Sequence, residues 1–311
     1  MSINFISINP EYSKAHFSLA HILVELNSPI EAKKHFIESI KHYEKNAPAH
    51  FRLGLILRNE GNDKEALDPK VISNGLIHLT IRSWLLRQFG QNILIDCCVG
   101  AHKNRPNHQD WHKRDGKDWL KALIKEGLRP EDIDIVMCTH LHADHVGWNT
   151  RLENGVWIPT FPNAQYLCGR LEYDFWLRNY QAFDKHGAFA DSVLPIVEKG
   201  KMQLVDDGWE LSDGLAVQLG SGHTPGHLCL NAKAGAVFCG DVVHSPLQLK
   251  FPELSSAFCS NPKAASETRK KLFRRISETH DFLIPAHFPD PGWVKIKKAP
   301  EIQVLFFVIS N

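Results

Sequence analysis

The spacing of apolar residues changes near residue 68. Before it, small and apolar residues recur at helical spacing, as in Leu19, Ala20 and Leu23, which predicts amphipathic helices. After it, short apolar runs alternate with helical stretches, and this alternation predicts a layered α/β or α+β domain. We expect strands at 76–86, 93–99, 133–138, 165–168, 202–205, 215–219, 227–232 and 236–239, and helices at 119–126 and 263–279.

The first part of the chain contains an internal repeat. The Ala-His-Phe sequence at 15–17 recurs 34 positions later at 49–51, and Ala32 recurs as Ala66. Small residues at matched positions let two helices approach closely, and this period is typical of helix-turn-helix solenoid units. Residues 9–67 resemble the tetratricopeptide repeat family, although its usual Trp is missing and the second unit stops within its second helix. We therefore divide the chain into a helical repeat segment, 1–68, and a second domain, 71–311.

Composition excludes several classes of protein. The net charge is only +1, from 36 Lys and Arg against 35 Asp and Glu, which argues against a nucleic-acid-binding surface. No apolar run approaches the roughly 20 residues of a membrane-spanning helix, and we find no secretion signal at the start. Seven cysteines without CxxC spacing predict buried reduced thiols and a cytoplasmic protein. The apolar segment at 304–309 is too short to span a membrane, and we expect it to form a terminal strand or an exposed tail.

Histidine is the unusual residue, with 18 copies. The run THLHADHVG at 139–147 directly follows a predicted strand. In an extended segment side chains alternate, so His140 and His142 project to one side, and the turn that follows directs Asp144 and His145 elsewhere. Imidazole and carboxylate groups are ligands for zinc, and also for iron or manganese. This run therefore predicts ligands for two neighbouring metal ions.

Three downstream segments add ligands of the same chemistry. His223 lies in the Gly- and Pro-restricted loop SGHTPGH at 221–227. Asp241 follows the predicted strand 236–239, and His287 ends another apolar segment. Each position alone is weak evidence, but together with the run at 140–145 they predict one metal site.

Residues 76–290 resemble the metallo-β-lactamase-fold hydrolases, whose metal motif is the His-x-His-x-Asp-His run with the downstream His, Asp and His. The resemblance implies an α+β fold, a four-layer αβ/βα sandwich, and two Zn²⁺ ions, with iron or manganese as alternatives. It implies the following ligands: His140, His142 and His223 for the first metal, Asp144, His145 and His287 for the second, and Asp241 as a bridge.

The sequences GHTPGH at 222–227 and GDVVHSP at 240–246 are similar to the branch of acyl-homoserine-lactone lactonases and methyl-parathion-hydrolase-like enzymes. Asp96 matches an acid that supports the histidine run in this family. Sequences of this branch usually have one or two more strands before residue 76, where this chain has the repeat segment. We therefore expect an incomplete first edge of the sheet.

The resemblance implies hydrolysis of a lactone or other carboxylic ester by a hydroxide that bridges the two metals. Asp144 would orient this nucleophile and pass a proton to the leaving alkoxide. His244 stands where the lactonases have a tyrosine and parathion-hydrolase-like members a histidine, and we expect it to donate to the substrate; the alternative is that it fixes a metal ligand. We expect His227 to brace its loop.

Two other functions remain open. A phosphotriester or thioester could be hydrolysed at the same metals. Alternatively, the repeat segment could act as a protein-interaction scaffold beside an inactive hydrolase domain. The expected partner is a small ester or lactone, with no nucleic acid and no membrane. A peptide or dimer contact through the repeat segment is a further option, although we favour a helical appendage that binds nothing.

Several other residues carry weaker expectations. Among the aromatic residues near the metal run, Trp148 is a better candidate for the pocket than Trp176, because Glu172, Phe175 and Trp176 have the helical spacing of core and surface positions. We expect residues 251–258 to form a loop over the pocket. The basic residues at 269–275 predict a solvated helix face. His102, His108 and His112 are expected at the surface.

Overall fold

The structure, a computed structural model, describes residues 13–25, 28–42, 72–73, 76–298 and 305–308. The helices in these ranges are α1 (Ser13–Glu25), α2 (Pro29–His42), α3 (Lys117–Lys125), α4 (Ala143–Val146), α5 (Arg170–Phe183), α6 (Leu194–Glu198), α7 (Leu247–Lys250) and α8 (Pro262–Thr279). The strands are β1 (Ile72–Ser73), β2 (Leu76–Ile77), β3 (Trp84–Gln88), β4 (Gln91–Ile95), β5 (Ile135–Met137), β6 (Thr150–Glu153), β7 (Val156–Pro159), β8 (Gln165–Gly169), β9 (Met202–Val205), β10 (Glu210–Ser212), β11 (Leu215–Leu219), β12 (Leu228–Ala232), β13 (Ala236–Gly240), β14 (Phe282–Pro285), β15 (Val294–Lys298) and β16 (Leu305–Val308).

The first large sheet has five strands in the order β3-β4-β5-β8-β9. Strands β4, β5, β8 and β9 pair in parallel, and β3 pairs antiparallel to β4 at the edge. Strand β4 is apolar on both faces: Ile93 and Ile95 are buried on one side and Leu94 on the other. Such continuous apolar runs are expected for parallel strands that are covered on both faces.

The second large sheet has seven strands, β10 to β16, which are adjacent in chain order. All neighbours are antiparallel except β13 and β14, which are parallel. A parallel pair needs a crossover connection, and the segment that contains α7 and α8 supplies it. Strand β16 confirms the predicted terminal strand and extends this sheet.

The two sheets pack face to face, and helices cover their outer faces. Ile95 and Met137 of the first sheet share a core with Leu230 and Phe238 of the second. Helices α3 and α5 contribute Leu123 and Trp176 to the core on the outer face of the first sheet. Helix α8 contributes Leu272, Phe273 and Ile276 to the outer face of the second. This arrangement confirms the predicted α+β, four-layer sandwich.

Most predicted elements are found, with local differences. The single strand expected at 76–86 is wrong: β2 ends at Ile77 and β3 begins only at Trp84. The sequence analysis also did not predict the hairpin of β6 and β7. Each of these strands has only four residues, and their pairing is set by the turn at Asn154 and Gly155, both of which have positive φ.

Helices α1 and α2 form a helical hairpin in the predicted first repeat unit. Ala20, Ala32 and Phe36 are fully buried between them, and the ring of Phe17 meets Phe36 edge-on at 5.8 Å. The small residues thus allow the close helix contact that the repeat predicts. The second unit, residues 49–66, lies outside the described residues, so the repeat family and the domain division remain predictions.

Two expectations about surface and solvent can be compared with the structure. All seven cysteines are buried thiols, as predicted. Arg269 is not part of a solvated basic face: its side chain is fully buried and donates hydrogen bonds to the carbonyl oxygens of Val242, Pro252 and Leu254.

Among the described residues, no helix has the length and apolar character needed to cross a membrane.

Candidate metal centre

The predicted ligands follow strands that end at one edge of the sandwich. The run at 140–145 follows β5, Asp241 directly follows β13, and His287 lies just beyond β14. Ligand sites in α/β sheets form at the carboxyl ends of parallel strands. The parallel pair β13–β14 places Asp241 beside His287, and the packing of the two sheets brings this end against the end of β5.

Three histidine nitrogens converge to form the first ligand cluster. His140 Nε2 lies 3.0 Å from His142 Nδ1, and His223 Nε2 lies 3.1 Å and 2.9 Å from these two atoms. Asp241 Oδ2 lies 3.2 Å from His223 Nε2 and 3.8 Å from His140 Nε2. Three imidazoles and one carboxylate oxygen therefore surround one point, which is the ligand number and type of a tetrahedral zinc site.

The second cluster lies on the other side of Asp241. Asp144 Oδ2 is 3.7 Å from His145 Nε2 and 3.6 Å from His287 Nε2. Asp241 Oδ1 is 3.3 Å from His145 Nε2 and 3.0 Å from His287 Nε2. The two oxygens of Asp241 thus face different clusters, which is the arrangement expected of a bridging carboxylate.

Unsatisfied buried atoms show that the clusters fit metal ions. His145 Nε2 and Asp241 Oδ1 are buried, and neither makes a well-directed hydrogen bond among the described residues, although they lie 3.3 Å apart. Burial lowers the pKa of His142 to about 4 and lowers the pKa values of His140 and His223 well below the usual range. These three histidines are therefore neutral at pH 7, and a metal ligand must be neutral imidazole.

In the second cluster the histidine pKa values are raised rather than lowered. Burial opposes a charge on His145, but the carboxylates of Asp241, Asp96 and Asp144 raise its pKa well above the usual range. Asp241 also outweighs the effect of burial at His287 and raises the pKa of that residue. Burial opposes ionisation of Asp241 as well, yet His287 and His145 hold its pKa well below the usual value. A cation that bound here would have to displace the protons that these carboxylates favour on His145 and His287.

Hydrogen bonds behind the ligands orient their rings. His145 Nδ1 donates to Asp96 and His287 Nδ1 donates to the carbonyl oxygen of Thr80, at 2.8 Å and 2.9 Å. Asp96 is the acid that the sequence comparison with the family predicts to support the histidine run. His227 Nε2 accepts from the backbone N–H of Asp241 at 3.0 Å, so this histidine braces the bridging residue. Partners of this kind fix the ring orientation of metal ligands.

A cavity of about 460 Å³ opens onto both clusters. It is lined by Asp144, Asp241 and His244 and by apolar side chains that include Trp176 and Leu141. His244 Nε2 lies 3.1 Å from Asp241 Oδ2. The position of His244 therefore fits both expected roles, that of a donor to a molecule in the cavity and that of a contact to a metal ligand.

The aromatic residues around the cavity differ from the expectation. Trp148 is buried and stacks on Trp119 at 5.1 Å in the core, so its assignment to the pocket is wrong, whereas Trp176 lines the cavity. His108 is not a plain surface residue, because it stacks on Trp111 at 4.4 Å and both line the cavity. His102 is exposed and His112 is half-buried.

The loop expected over the pocket contributes one lining residue. In the segment 251–258, Phe258 lines the cavity while its side chain remains 64% exposed. Glu172 is a functional candidate that the sequence does not predict, because its spacing is that of ordinary core and surface positions. Its carboxylate is completely buried and accepts a hydrogen bond from the backbone N–H of Leu141, which lies between His140 and His142 of the first cluster. No sequence signal distinguishes this acid from others on a helix surface.

Comparisons with known proteins find relatives of similar sequence and similar fold. The N-acyl homoserine lactonase AttM of Rhizobium radiobacter is 29% identical over 205 residues, which cover 59% of this chain and 67% of that protein. The structure of hydrolase AbOPH in the beta lactamase superfamily superposes with a TM-score of 0.65 at 26% identity, over 81% of this chain and 87% of that chain. AidC, a dizinc quorum-quenching lactonase, has a TM-score of 0.60 at 22% identity, over 75% and 80% of the two chains.

The family profile of the Metallo-beta-lactamase superfamily matches residues 79–287. This range includes every His and Asp of the two ligand clusters. The chain therefore belongs to the metallo-beta-lactamase superfamily.

Proposed function

We propose that this protein is a dinuclear-zinc hydrolase that cleaves a lactone or another carboxylic ester. Two divalent cations held by the two clusters would lower the pKa of a bound water toward neutrality and would polarise the ester carbonyl. The remaining steps depend on how the chain places its own side chains around the substrate.

The observation that carries the proposal is the position of Asp241 between the two clusters. Its Oδ2 lies 3.2 Å from His223 Nε2, and its Oδ1 lies 3.0 Å from His287 Nε2. A buried carboxylate is stable only when it is paired or coordinated. Here each oxygen faces a separate set of nitrogens, which supports a pair of cations rather than one.

Asp144 is suited to proton transfer. Its side chain is 19% exposed, whereas those of Asp241 and His287 are nearly inaccessible, and it lines the cavity. A carboxylate at this position can orient a nucleophile and then pass a proton toward the leaving alkoxide. We assign Asp144 this role in addition to its place in the second cluster.

His244 is positioned to donate to the substrate. It lines the cavity beside Asp241, and its ring nitrogens lack a well-directed hydrogen bond among the described residues. A donor directed at the carbonyl oxygen stabilises the negative charge that develops there during hydrolysis.

The cavity supports a small organic substrate. Its volume of about 460 Å³ lies within the usual range for small-molecule sites, and its walls combine the metal ligands with apolar residues such as Ile81, Leu141 and Trp176. The similarity to AttM, an N-acyl homoserine lactonase, favours lactones among the possible esters.

The experiment is a substrate panel with metal analysis on the same sample. Acyl-homoserine lactones, aryl esters, thioesters and phosphotriesters are each assayed with protein whose zinc, iron and manganese contents have been measured. We expect two equivalents of zinc and the highest kcat/KM for a lactone or carboxylic ester. The Asp241→Ala variant should lose metal and turnover together.

The other outcomes identify the alternatives. A preference for phosphotriesters or thioesters would keep the metal site but replace the substrate class. Metal-free protein that shows no turnover and captures peptides would favour the scaffold function. Two bound equivalents of metal without turnover of any ester would refute the proposed activity.

A further inference from the structure

Glu172 is a completely buried acid beside the metal site. It lies in the first turn of α5, and its two carboxylate oxygens accept three hydrogen bonds. Oε1 accepts from the backbone N–H of Leu141 at 3.1 Å and from Trp176 Nε1 at 2.8 Å, and Oε2 accepts from the backbone N–H of Gly226 at 3.1 Å. A buried carboxylate with this many partners is held in one orientation.

Two of these partners belong to the loops that supply the first ligand cluster. Leu141 stands between His140 and His142, and Gly226 lies three residues after His223. The loops are more than 80 residues apart in sequence. One carboxylate therefore links the two separate backbone segments whose histidine nitrogens converge on the first metal position.

Close packing holds the second loop against the start of α5. A Cβ on Gly226 would lie 2.0 Å from the backbone nitrogen of Glu172, and a Cβ on Gly169 would lie 2.7 Å from the carbonyl oxygen of Gly226. Only glycine permits this approach at either position. The helix start and the loop are therefore in direct backbone contact, with Glu172 at the point of contact.

The third partner extends the same link to the cavity wall. Trp176 donates its indole N–H to Glu172, and its ring meets that of His142 edge-on at 5.7 Å. The position of Trp176 in the cavity is thus coupled to the carboxylate that links the two metal-binding loops.

We propose that Glu172 is a positioning residue that sets the geometry of the first metal site and holds Trp176 in the substrate cavity. This inference rests on the proposed metal-dependent function. The proposed role requires that both carboxylate oxygens of Glu172 accept hydrogen bonds. Leu141 and Trp176 direct N–H groups at Oε1, and Gly226 directs one at Oε2. In Glu172→Gln the side-chain NH₂ faces at least one of these donors, whichever way the amide is turned.

The test measures zinc affinity in full-length protein in which only one site is left. In a His287→Ala background we expect Glu172→Gln to weaken zinc binding at the first site by about 10- to 100-fold. In a His223→Ala background the same change should leave zinc binding at the second site within about twofold. Affinities are obtained by competition with a chromophoric chelator, and the cobalt absorption spectrum of the first site should change with Glu172→Gln.

Asp174→Asn is the matched control. It makes the same change of charge two residues along the same helix, on a half-buried side chain that is not among the cavity-lining residues, and it should leave both affinities unchanged. Equal affinity of Glu172→Gln and the control at the first site would overturn the proposal, and so would equal weakening at both sites.

A second variant separates positioning from folding. Glu172→Ala leaves room for water to satisfy the three donors, and we expect it to fold and to show the same selective weakening. Loss of the native far-UV circular dichroism spectrum in both variants would assign Glu172 to folding and would overturn the positioning role. These measurements use no substrate, so absence of ester turnover would refute only the proposed function.

Discussion

Asp96 and His145 form the link between the first sheet and the second metal cluster. Asp96 Oδ2 lies 2.8 Å from His145 Nδ1, and the same carboxylate accepts from the backbone N–H and the hydroxyl of Thr139. Thr139 Oγ1 in turn lies 3.1 Å from His140 Nδ1. A single acid at the end of β4 therefore orients ligands of both clusters.

Replacement of this acid should weaken metal binding without unfolding the protein. Asp96 has a φ of +57°, which Asn tolerates, so Asp96→Asn removes the charge without adding backbone strain. We expect zinc affinity to fall by about 10- to 100-fold, measured by chelator competition. The control is Asp134→Asn, which changes an exposed acid that accepts from Asn92 N; equal affinity in the two variants would contradict the role of Asp96.

Gly147 should tolerate no side chain. A Cβ there would lie 2.0 Å from the carbonyl carbon of Val99, in a region where Gly147 N donates to Cys98 O. We expect Gly147→Ala to lower the free energy of unfolding by about 3 kcal/mol, because backbone must move. A Cβ at Gly155 would have no atom within 4 Å, so Gly155→Ala adds only the strain of a positive φ. We expect it to lower the free energy of unfolding by about 1 to 2 kcal/mol. Urea unfolding measures both; a smaller effect at Gly147 than at Gly155 would refute the steric argument.

Lys103 should make stability depend on pH. Burial lowers its pKa to about 7, against the attraction of Asp191. Between pH 7 and 10.5 the unfolded chain keeps the lysine proton that the folded chain has released, so the free energy of unfolding rises with pH in this window. Below pH 7 both states are protonated and this contribution is constant. The rise is about 1.36 kcal/mol for each unit of pKa difference.

The measurement is the slope of unfolding free energy against pH in metal-free protein. Lys103→Met should remove the rise between pH 7 and 10.5, because it removes the group that titrates. Lys121→Met changes a lysine whose side chain is 72% exposed and should keep the wild-type slope. Identical slopes in all three proteins would show that Lys103 keeps its proton in the folded state between pH 7 and 10.5.

His244→Phe tests the substrate contact. If His244 donates to the ester, its loss should lower kcat by about 10²- to 10³-fold while two equivalents of metal remain bound. Nε2 of the His244 ring also lies 3.1 Å from Asp241 Oδ2. Loss of metal together with activity would instead assign His244 to holding Asp241, and full activity would remove it from the mechanism.

The convergence of these His and Asp side chains could be predicted from the sequence because their combination is rare. Four coordinating side chains within residues 140–145 have few structural explanations, and His223, Asp241 and His287 each follow or precede a strong strand pattern. The pattern of apolar residues also predicts β9 and β11 with the bounds that the structure shows. These features are local in sequence, so spacing and residue type are sufficient to find them.

The positions that sequence analysis misjudged depend on contacts between distant segments. Glu172 and Arg269 are charged residues on helices, and their burial follows from backbone groups of other segments that they meet. Trp148 and Trp176 are both buried in the core beside the first sheet, and only the folded structure shows that Trp176 also lines the cavity. Helical and strand periods do not encode such contacts.

The backbone contact between Gly226 and the start of α5 limits how this pocket can be re-engineered. A mutation that tilts or shifts the helix to make room for a bulkier substrate would also move the loop of His223, so a gain in volume there would disturb the first ligand cluster. The rim residues Phe183 and Phe258 are 59% and 64% exposed, line the same cavity and are not metal ligands. Libraries for altered substrate preference should therefore randomise these two phenylalanines and leave the glycines at 169 and 226 unchanged.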